Sequence, residues 1–323
     1  MNAQLSAKLD HVEATQHGRR DIRRPVSGAH SPQVRGKKHC QAAGGNSPKG
    51  DTTVRRREAK AVLLRAGFNT GRAAKAFRRI DARLLVHGNG PQVGLLALQN
   101  SAYASVTPYP LDILGAESQG MIGYMLQQAL KNQLPQREIS VLLTQVEVDA
   151  HDPAFSNPTK YIGPIYDDAQ AKTLHAEKGW IFKADGKAFR RVVPSPQPKR
   201  IVESDAIRTL IARDHLVICN GGGGVPVVEK ADGYHGIEAV IDKDLSAALL
   251  ARQLHADALL ILTDADAVYL DWSKPTQRPL SQVTPELLGE MQFDAGSMGP
   301  KVTACAEFVS HCHGITGIGS LAD

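Results

Sequence analysis

Three short apolar runs in this chain end directly in flexible polar turns, and that arrangement narrows the fold more than any other feature. Leu84-Leu85-Val86 runs into His87-Gly88-Asn89-Gly90. Residues 216–219 run into Asn220 and then four glycines, Gly221, Gly222, Gly223 and Gly224. Residues 258–262 run into Thr263-Asp264-Ala265-Asp266, and a fourth apolar run occupies 139–143. Each is the right length for a strand buried on both faces. Helical stretches at 112–131, 204–213 and 245–254 separate them. Strand alternating with helix predicts an α/β fold built on a mostly parallel sheet covered by helices. In such sheets ligands gather at the carboxyl ends of the strands, where these turns would meet.

Residues 149–200 break the alternation. Pro153, Pro158, Pro164, Pro194, Pro196 and Pro198 argue against long helices there. Within this stretch, residues 180–183 and 188–193 flank Asp185-Gly186, a hairpin signal. A small excursion from the main sheet is expected, acting as a lid.

Charge separates the chain into two unlike parts. Residues 1–83 carry 19 Lys and Arg against 6 Asp and Glu, a net +13, whereas the remainder carries 19 against 27, a net −8. The basic pI therefore belongs to the first quarter. That quarter lacks interleaved aromatics, zinc spacing and a clear helix-turn-helix pattern, which argues against nucleic acid as a partner. Residues 1–38 are expected to be a basic disordered arm, and residues 39–323 the folded domain. No run of about 18 apolar residues suggests a membrane span. The first 30 residues carry no apolar h-region, so no signal peptide is expected. Cys40, Cys219, Cys305 and Cys312 show no metal or redox spacing. They fit reduced thiols in a cytoplasmic protein, and no protein metal site is expected.

Glycines after strands let the backbone approach a ligand and aim amide N–H groups at an anion. Gly88-Asn89-Gly90 and the four-glycine turn offer this, with a third candidate at Gly44-Gly45-Asn46. None matches GxxxxGK[ST] or GxGxxG, so the common nucleotide folds are disfavoured. Lys243 sits between Asp242 and Asp244 at the entry of a helix expected to start near Leu245, with Asp244 placed to cap it. A lysine held so is oriented and kept charged, as phosphoryl transfer requires. Lys301 follows a flexible turn, residues 296–300, that opens another helix. Lys160 lies in the proline-rich excursion and is unremarkable on spacing alone. No nucleophile elbow, HExxH pair or HRD loop is present in the body. His87 and His215 border apolar strands and read as packed or hydrogen-bonded histidines. A kinase without an evident base suggests an acceptor that is already an anion.

The segments HGNGPQVGLLALQN, AESQGMIGYMLQQAL, PTKYIGPIY, RRVVPSPQP, GGGGVPV, EAVIDKDLSAALLA, LTDADAVY and GSMGPKVTA occur in that order. Over about residues 84–320 the chain thereby resembles the carbamate kinases of the amino acid kinase family. The resemblance implies a doubly wound α/β fold with helices on both faces and a protruding lid subdomain at 149–200, in a homodimer. It also implies reversible conversion of ATP and carbamate to ADP and carbamoyl phosphate with Mg²⁺, in arginine, agmatine or purine-derived nitrogen catabolism. By position, Lys243 and Lys301 would neutralise the transferring phosphoryl group, Asp244 would orient them, and Lys160 would reach in from the lid. Gly88, Asn89, Gly90 and the four glycines would supply amide donors. Thr263, Asp264, Ala265, Asp266 and Tyr269 would lie beside the nucleotide, with Met298 and Gly299 nearby.

The family opens with an apolar strand leading into a Gly-Gly-Asn turn. Here Ala43-Gly44-Gly45-Asn46 resembles the turn, but His39-Cys40-Gln41 stands before it. Residues 39–83 thus read as a degenerate N-terminal part, with a short helix at 59–66, and a partly shifted reading frame over residues 1–83, or a decayed gene, would explain it. At the other end, the chain stops before the family's closing strand. Two other functions stay open: a relative that binds nucleotide but transfers poorly, and a kinase of another small carboxylate such as an amino acid. The lid segment PTKYIGPIY argues against the second.

Overall fold

The computed structural model describes residues 82–103, 105–294, 297–312 and 314–320, and the backbone of two strands upstream of them. All lie in the compact unit Ser31–Asp323. Gly44, Gly45 and Asn46, and most of residues 1–38, lie outside the described residues.

Along the chain come β1 (Gln33–Arg35), β2 (Lys60–Leu64), β3 (Leu84–His87), α1 (Gly90–Ala102), α2 (Leu111–Gln133), β4 (Ile139–Val141) and β5 (Gln145–Val148). Then follow β6 (Lys160–Tyr166), α3 (Asp168–Lys178), β7 (Ile181–Asp185), β8 (Ala188–Val193), β9 (Pro198–Ile201) and α4 (Ser204–Ala212). Next are β10 (Leu216–Ile218), β11 (Val225–Lys230), β12 (Gly233–Gly236), α5 (Lys243–Gln253) and β13 (Ala258–Thr263). The chain closes through β14 (Val268–Leu270), β15 (Arg278–Leu280), β16 (Gln282–Val283), α6 (Pro285–Gly289), α7 (Met298–Cys312) and β17 (Ile315–Ser320).

Among the described residues, eight strands form one sheet in the order β16-β1-β17-β13-β2-β3-β10-β4. Pairing is parallel from β17 through β4, and β1 runs antiparallel to β17. The strand period of two sends neighbouring side chains to opposite faces. Leu84, Val86, Val217 and Ile261 accordingly join the cluster that includes Ala247, Leu250 and Phe308 of α5 and α7. Leu85, Leu216 and Ile218 join Ile122, Leu126 and Leu130 of α2. The sheet is therefore covered by helices on both faces. Each fully buried Leu or Ile contributes about 1.5–3 kcal/mol, so these two layers are the main stabilising term.

Two expectations are corrected upstream. Residues 59–66 do not form a helix: Lys60–Leu64 is the central strand β2, in register with β3 on one side and β13 on the other. Two parallel ladders satisfy its backbone groups, and that tertiary pairing overrides local helix propensity. Gln33–Arg35 fall within the stretch read as an arm, yet they pair with β16 and β17, so the sheet reaches back into that stretch.

The excursion is a three-stranded sheet, β6-β8-β7, carrying α3. Its expected hairpin joins β7 to β8, with Gly186 in the left-handed region at φ 64°. The prolines are expected to exclude long helices from this region, and its helix α3 spans 11 residues, an ordinary length. It fits between Pro164 and Pro194, with a capping box from Asp167 and Gln170 and a left-handed Gly179 ending it. Strand β6 of the excursion rests on α1 through Gly94 and Gly163. A Cβ at Gly94 would lie 2.0 Å from Gly163 Cα, so only two glycines permit this approach. A second sheet, β12-β11-β5-β9, flanks the main one. No helix among the described residues is long and apolar enough to cross a membrane.

Candidate active site

The site is assembled where β3 and β10 end and where α5 and α7 begin. Lys243 is the first residue of α5, two positions earlier than expected. The cap is Asp242 and not Asp244, which corrects the capping role expected for Asp244. Asp242 Oδ1 accepts from the amides of Asp244 (2.8 Å) and Leu245 (3.3 Å). Both carboxylates sit in the first turn of sequence, and the backbone turn at Asp242 decides between them. Freed from capping, Asp244 turns its side chain inward and is 2% exposed.

Asp244 Oδ2 accepts from Lys243 Nζ at 2.9 Å and from Lys301 Nζ at 3.2 Å. Lys301 also donates to the Ser297 carbonyl at 3.1 Å, which fixes its direction at the start of α7. From β6 of the excursion, Lys160 Nζ donates to Asp242 Oδ2 at 2.5 Å. Burial alone would push the Asp242 pKa up, but Lys160 and Lys243 outweigh it and hold the group at about 2. Three ammonium groups thus share two carboxylates in a partly closed place. The surplus of positive charge and the unfilled donor capacity suit a multiply charged anion.

The two glycine turns build the wall beside these lysines. The stem of Lys243 passes Gly88, where a Cβ would stand 3.1 Å from Lys243 Cδ. Gly221 meets the His87 ring, and Gly222 meets the Asn89 side chain, which donates to Ser118 Oγ at 2.8 Å. A Cβ at Gly222 would lie 2.1 Å from Asn89 Nδ2, and its φ of 67° is itself a glycine conformation. The four-glycine run therefore serves the packing of one loop on the other. Gly223 and Gly224 donate to the carbonyls of Asn220 and Gly221, so amide donation from this turn narrows to Gly221 and Gly222. Gly90 opens α1 after Asn89, whose side chain does not cap the helix.

Sequence reasoning missed the residues that lock this wall in place. Gln119 of α2 bonds both backbone groups of Thr144, at 3.0 and 3.1 Å. Thr144 Oγ1 accepts from the Asn220 amide, and Asn220 Oδ1 accepts from Ser246 Oγ of α5 at 3.1 Å. These are ordinary polar residues in sequence, and only burial marks them. His87 is 1% exposed and donates to the Gly88 carbonyl at 3.0 Å; burial brings its pKa down to about 4. His215 lies 2.8 Å from Ser140 Oγ. Neither histidine is poised as a base.

The expected nucleotide residues gather at the end of β13. Thr263 donates to Asp264 at 2.9 Å, Ala265 follows, and Tyr269 donates to Asp266 at 3.0 Å. The Tyr269 and Trp272 rings lie 5.3 Å apart, and Trp272 is largely exposed. Met298 packs against the main core, and the Gly299 amide donates to the Asp294 carbonyl at 2.8 Å. Cys219 and Cys305 are buried and their thiols are pushed up by burial, as suits unreactive groups.

The profile of the Amino acid kinase family matches residues 69–316. A carbamate kinase of Rhizobium meliloti is 52% identical over 258 residues, covering 78% of this chain and 80% of that protein. One from Escherichia coli is 58% identical over 225 residues, covering 70% and 75%. The structure of a Giardia lamblia carbamate kinase bound to AMP-PNP superposes with a TM-score of 0.72 at 37% identity. It covers 82% of this chain and 94% of that one. The same Giardia enzyme bound to citric acid gives a TM-score of 0.74 with the same coverage.

Proposed function

The chain belongs to the amino acid kinase family and within it to the carbamate kinases, and from that premise we propose that it interconverts ATP and carbamate with ADP and carbamoyl phosphate. The observation that carries this reading is the joint hold of Lys243 and Lys301 on Asp244, with Lys160 facing them from the lid on Asp242. In the ATP-forming direction an oxygen of the ADP β-phosphate attacks the phosphorus of carbamoyl phosphate, and carbamate leaves. In the other direction a carbamate oxygen attacks the γ-phosphorus. Both nucleophiles are anions, so no base is required. The barrier comes from charge repulsion and alignment, which fixed cations and amide donors lower.

Lys243 and Lys301 would offset the charge on the transferring group, and Asp244 would keep both ammoniums aimed at one point. Lys160 would complete the cation set as the lid settles over the acyl end. Amides of Gly88, Asn89, Gly90, Gly221 and Gly222 would hold phosphate oxygens. Thr263, Asp264, Ala265, Asp266 and Tyr269, with Met298 and Gly299, would border the nucleotide. Among the described residues no three His, Cys, Asp or Glu side chains group as a metal cage, and both site aspartates are engaged by lysine. Mg²⁺ therefore fits this chain as part of the nucleotide substrate, held mainly by phosphate oxygens and water.

A homodimer is supported by a band of exposed apolar side chains around α1 and α2, including Tyr103, Val106, Tyr109, Ile113 and Tyr124. A cytoplasmic place fits free thiols and a small-molecule phosphotransferase. The decisive experiment is ATP formation from ADP, Mg²⁺ and carbamoyl phosphate by purified full-length protein. Steady turnover is expected. Its absence from folded protein would overturn the assignment.

A further inference from the structure

The three-stranded sheet of the excursion turns one face to the body, and two cations stand on that face. Lys160 of β6 lies opposite Val193 of β8, and Ile162 lies opposite Arg191. Opposed residues, and residues two apart on one strand, share a face, so these four side chains leave the sheet on the same side. Ile162 and Val193 are buried with Val93 and Ala97 of α1 and with Val240, which identifies this side as the inner one. Lys160 reaches Asp242 from it. Arg191 is half-buried, with its guanidinium 3.9 Å from the centre of the Trp180 ring. Among the described residues that guanidinium makes no ion pair. Burial brings its pKa down to about 10, while the nearby Glu238 carboxylate acts to raise it. Glu238 lies four residues before Asp242, and its Oε2 accepts from the Leu111 amide at 2.7 Å, which leaves Oε1 for another donor. Between the two carboxylates, the Val240 amide donates to the carbonyl of Pro194, the residue after β8, at 2.9 Å. Cation thus faces carboxylate on both sides of one backbone contact between the excursion and residues 238–242.

We propose that Arg191 is a positioning residue: held on Trp180 and drawn to Glu238, it clamps the inner face of the excursion against residues 238–242 and so sets where Lys160 stands over the acyl phosphate. A half-buried cation without an ion pair is costly unless an opposite charge answers it, and Glu238 is the carboxylate that does. The aromatic stack restricts the directions in which the fork can donate, so the attraction is directed and not diffuse. The proposal rests on the kinase assignment above. Arg191 acts through Lys160 in this reading and does not touch the transferring group.

The test measures ATP formation from ADP and carbamoyl phosphate, and hydrogen exchange at the Val240 amide, in wild type, Arg191→Gln, Glu238→Gln and the double variant. Each substitution removes a charge and keeps a polar side chain, and a glutamine at 238 can still accept from Leu111. Either single variant should raise the KM for carbamoyl phosphate about 3–10-fold and leave the KM for ADP unchanged, and the double variant should add little. In a Lys160→Ala background Arg191→Gln should have almost no further effect, because the group it positions is gone. The Val240 amide should exchange faster in Arg191→Gln. A silent Glu238→Gln, additive losses in the double variant, or a full effect of Arg191→Gln without Lys160 would overturn the proposal and leave Arg191 a packing residue. A wild type that makes no ATP would instead overturn the kinase assignment. Exchange then decides the clamp alone, and an unchanged rate at Val240 would overturn that too.

Discussion

Lys243 and Lys301, 58 residues apart in sequence, meet at one atom: Asp244 Oδ2 lies 2.9 Å from the first ammonium and 3.2 Å from the second. A single buried oxygen thus sets the spacing of two cations that would otherwise repel. Removing it should cost more than removing either lysine. Asp244→Ala is expected to destabilise the protein by about 3–5 kcal/mol, because it leaves two largely buried ammoniums without their counter-charge. Urea unfolding measures this, and a loss below 1 kcal/mol would show that the ammoniums find other partners.

Lys243→Ala should abolish turnover, by at least about 100-fold in kcat, with only a modest loss of nucleotide affinity. The lysine acts on the transferring group, so its effect belongs to the transition state. Initial rates with ADP-binding titrations separate the two. Unchanged kcat would remove Lys243 from the chemistry.

The contact between α1 and β6 has its own signature. Gly94→Ala would set a Cβ 2.0 Å from Gly163 Cα, so β6 must lift from α1 and carry Lys160 with it. The expected result is a raised KM for carbamoyl phosphate, with the KM for ADP little changed. If Gly94→Ala and Lys160→Ala raise the same constant by similar factors and the double variant adds little, the two act on one step.

Acid sensitivity should come first from His87. Its folded pKa, about 4, is below the ordinary 6.5, so the neutral ring is favoured in the folded state. That stability is complete only well above pH 6.5, where both states are neutral, and is lost as pH falls through 6.5 toward 4 while the unfolded chain takes up the proton. Between pH 7 and pH 5 the loss should be about 2 kcal/mol. His87→Gln should remove most of this slope in urea midpoints, whatever it does to stability at pH 7. Asp242, held at about 2, adds a second loss only below about pH 4, in the window between its unfolded and folded values.

The exposed apolar side chains on α2 and in the segment before it predict assembly. Sedimentation should give a dimer, and Tyr124→Lys, at a position 61% exposed in the single chain, should shift it toward monomer. A wild-type monomer at micromolar concentration would overturn the homodimer.

The sequence by itself determined most of the strands and marked Lys243 at a helix entry. Runs such as Leu84-Leu85-Val86 and 216–219 are apolar at every position, a pattern that only burial on both faces explains, and the helices between them follow from the alternation. Lys243 stood out in sequence between two carboxylates at a helix entry, whereas Lys301 was singled out only by the resemblance, and the fold brought it to Asp244 from within the first turn of α7. Local pattern could not choose Asp242 over Asp244 as the cap of α5, because the two lie within one turn and both can accept. Nor could it show that Lys60–Leu64 is the central strand, since a five-residue run with Ala and Leu suits helix or strand until β3 and β13 flank it. The support of the glycine turns by Gln119, Thr144, Asn220 and Ser246 was invisible for the same reason. Hydrogen bonds between residues tens of positions apart leave no periodicity, and only the packed sheet brings those partners within 3.1 Å.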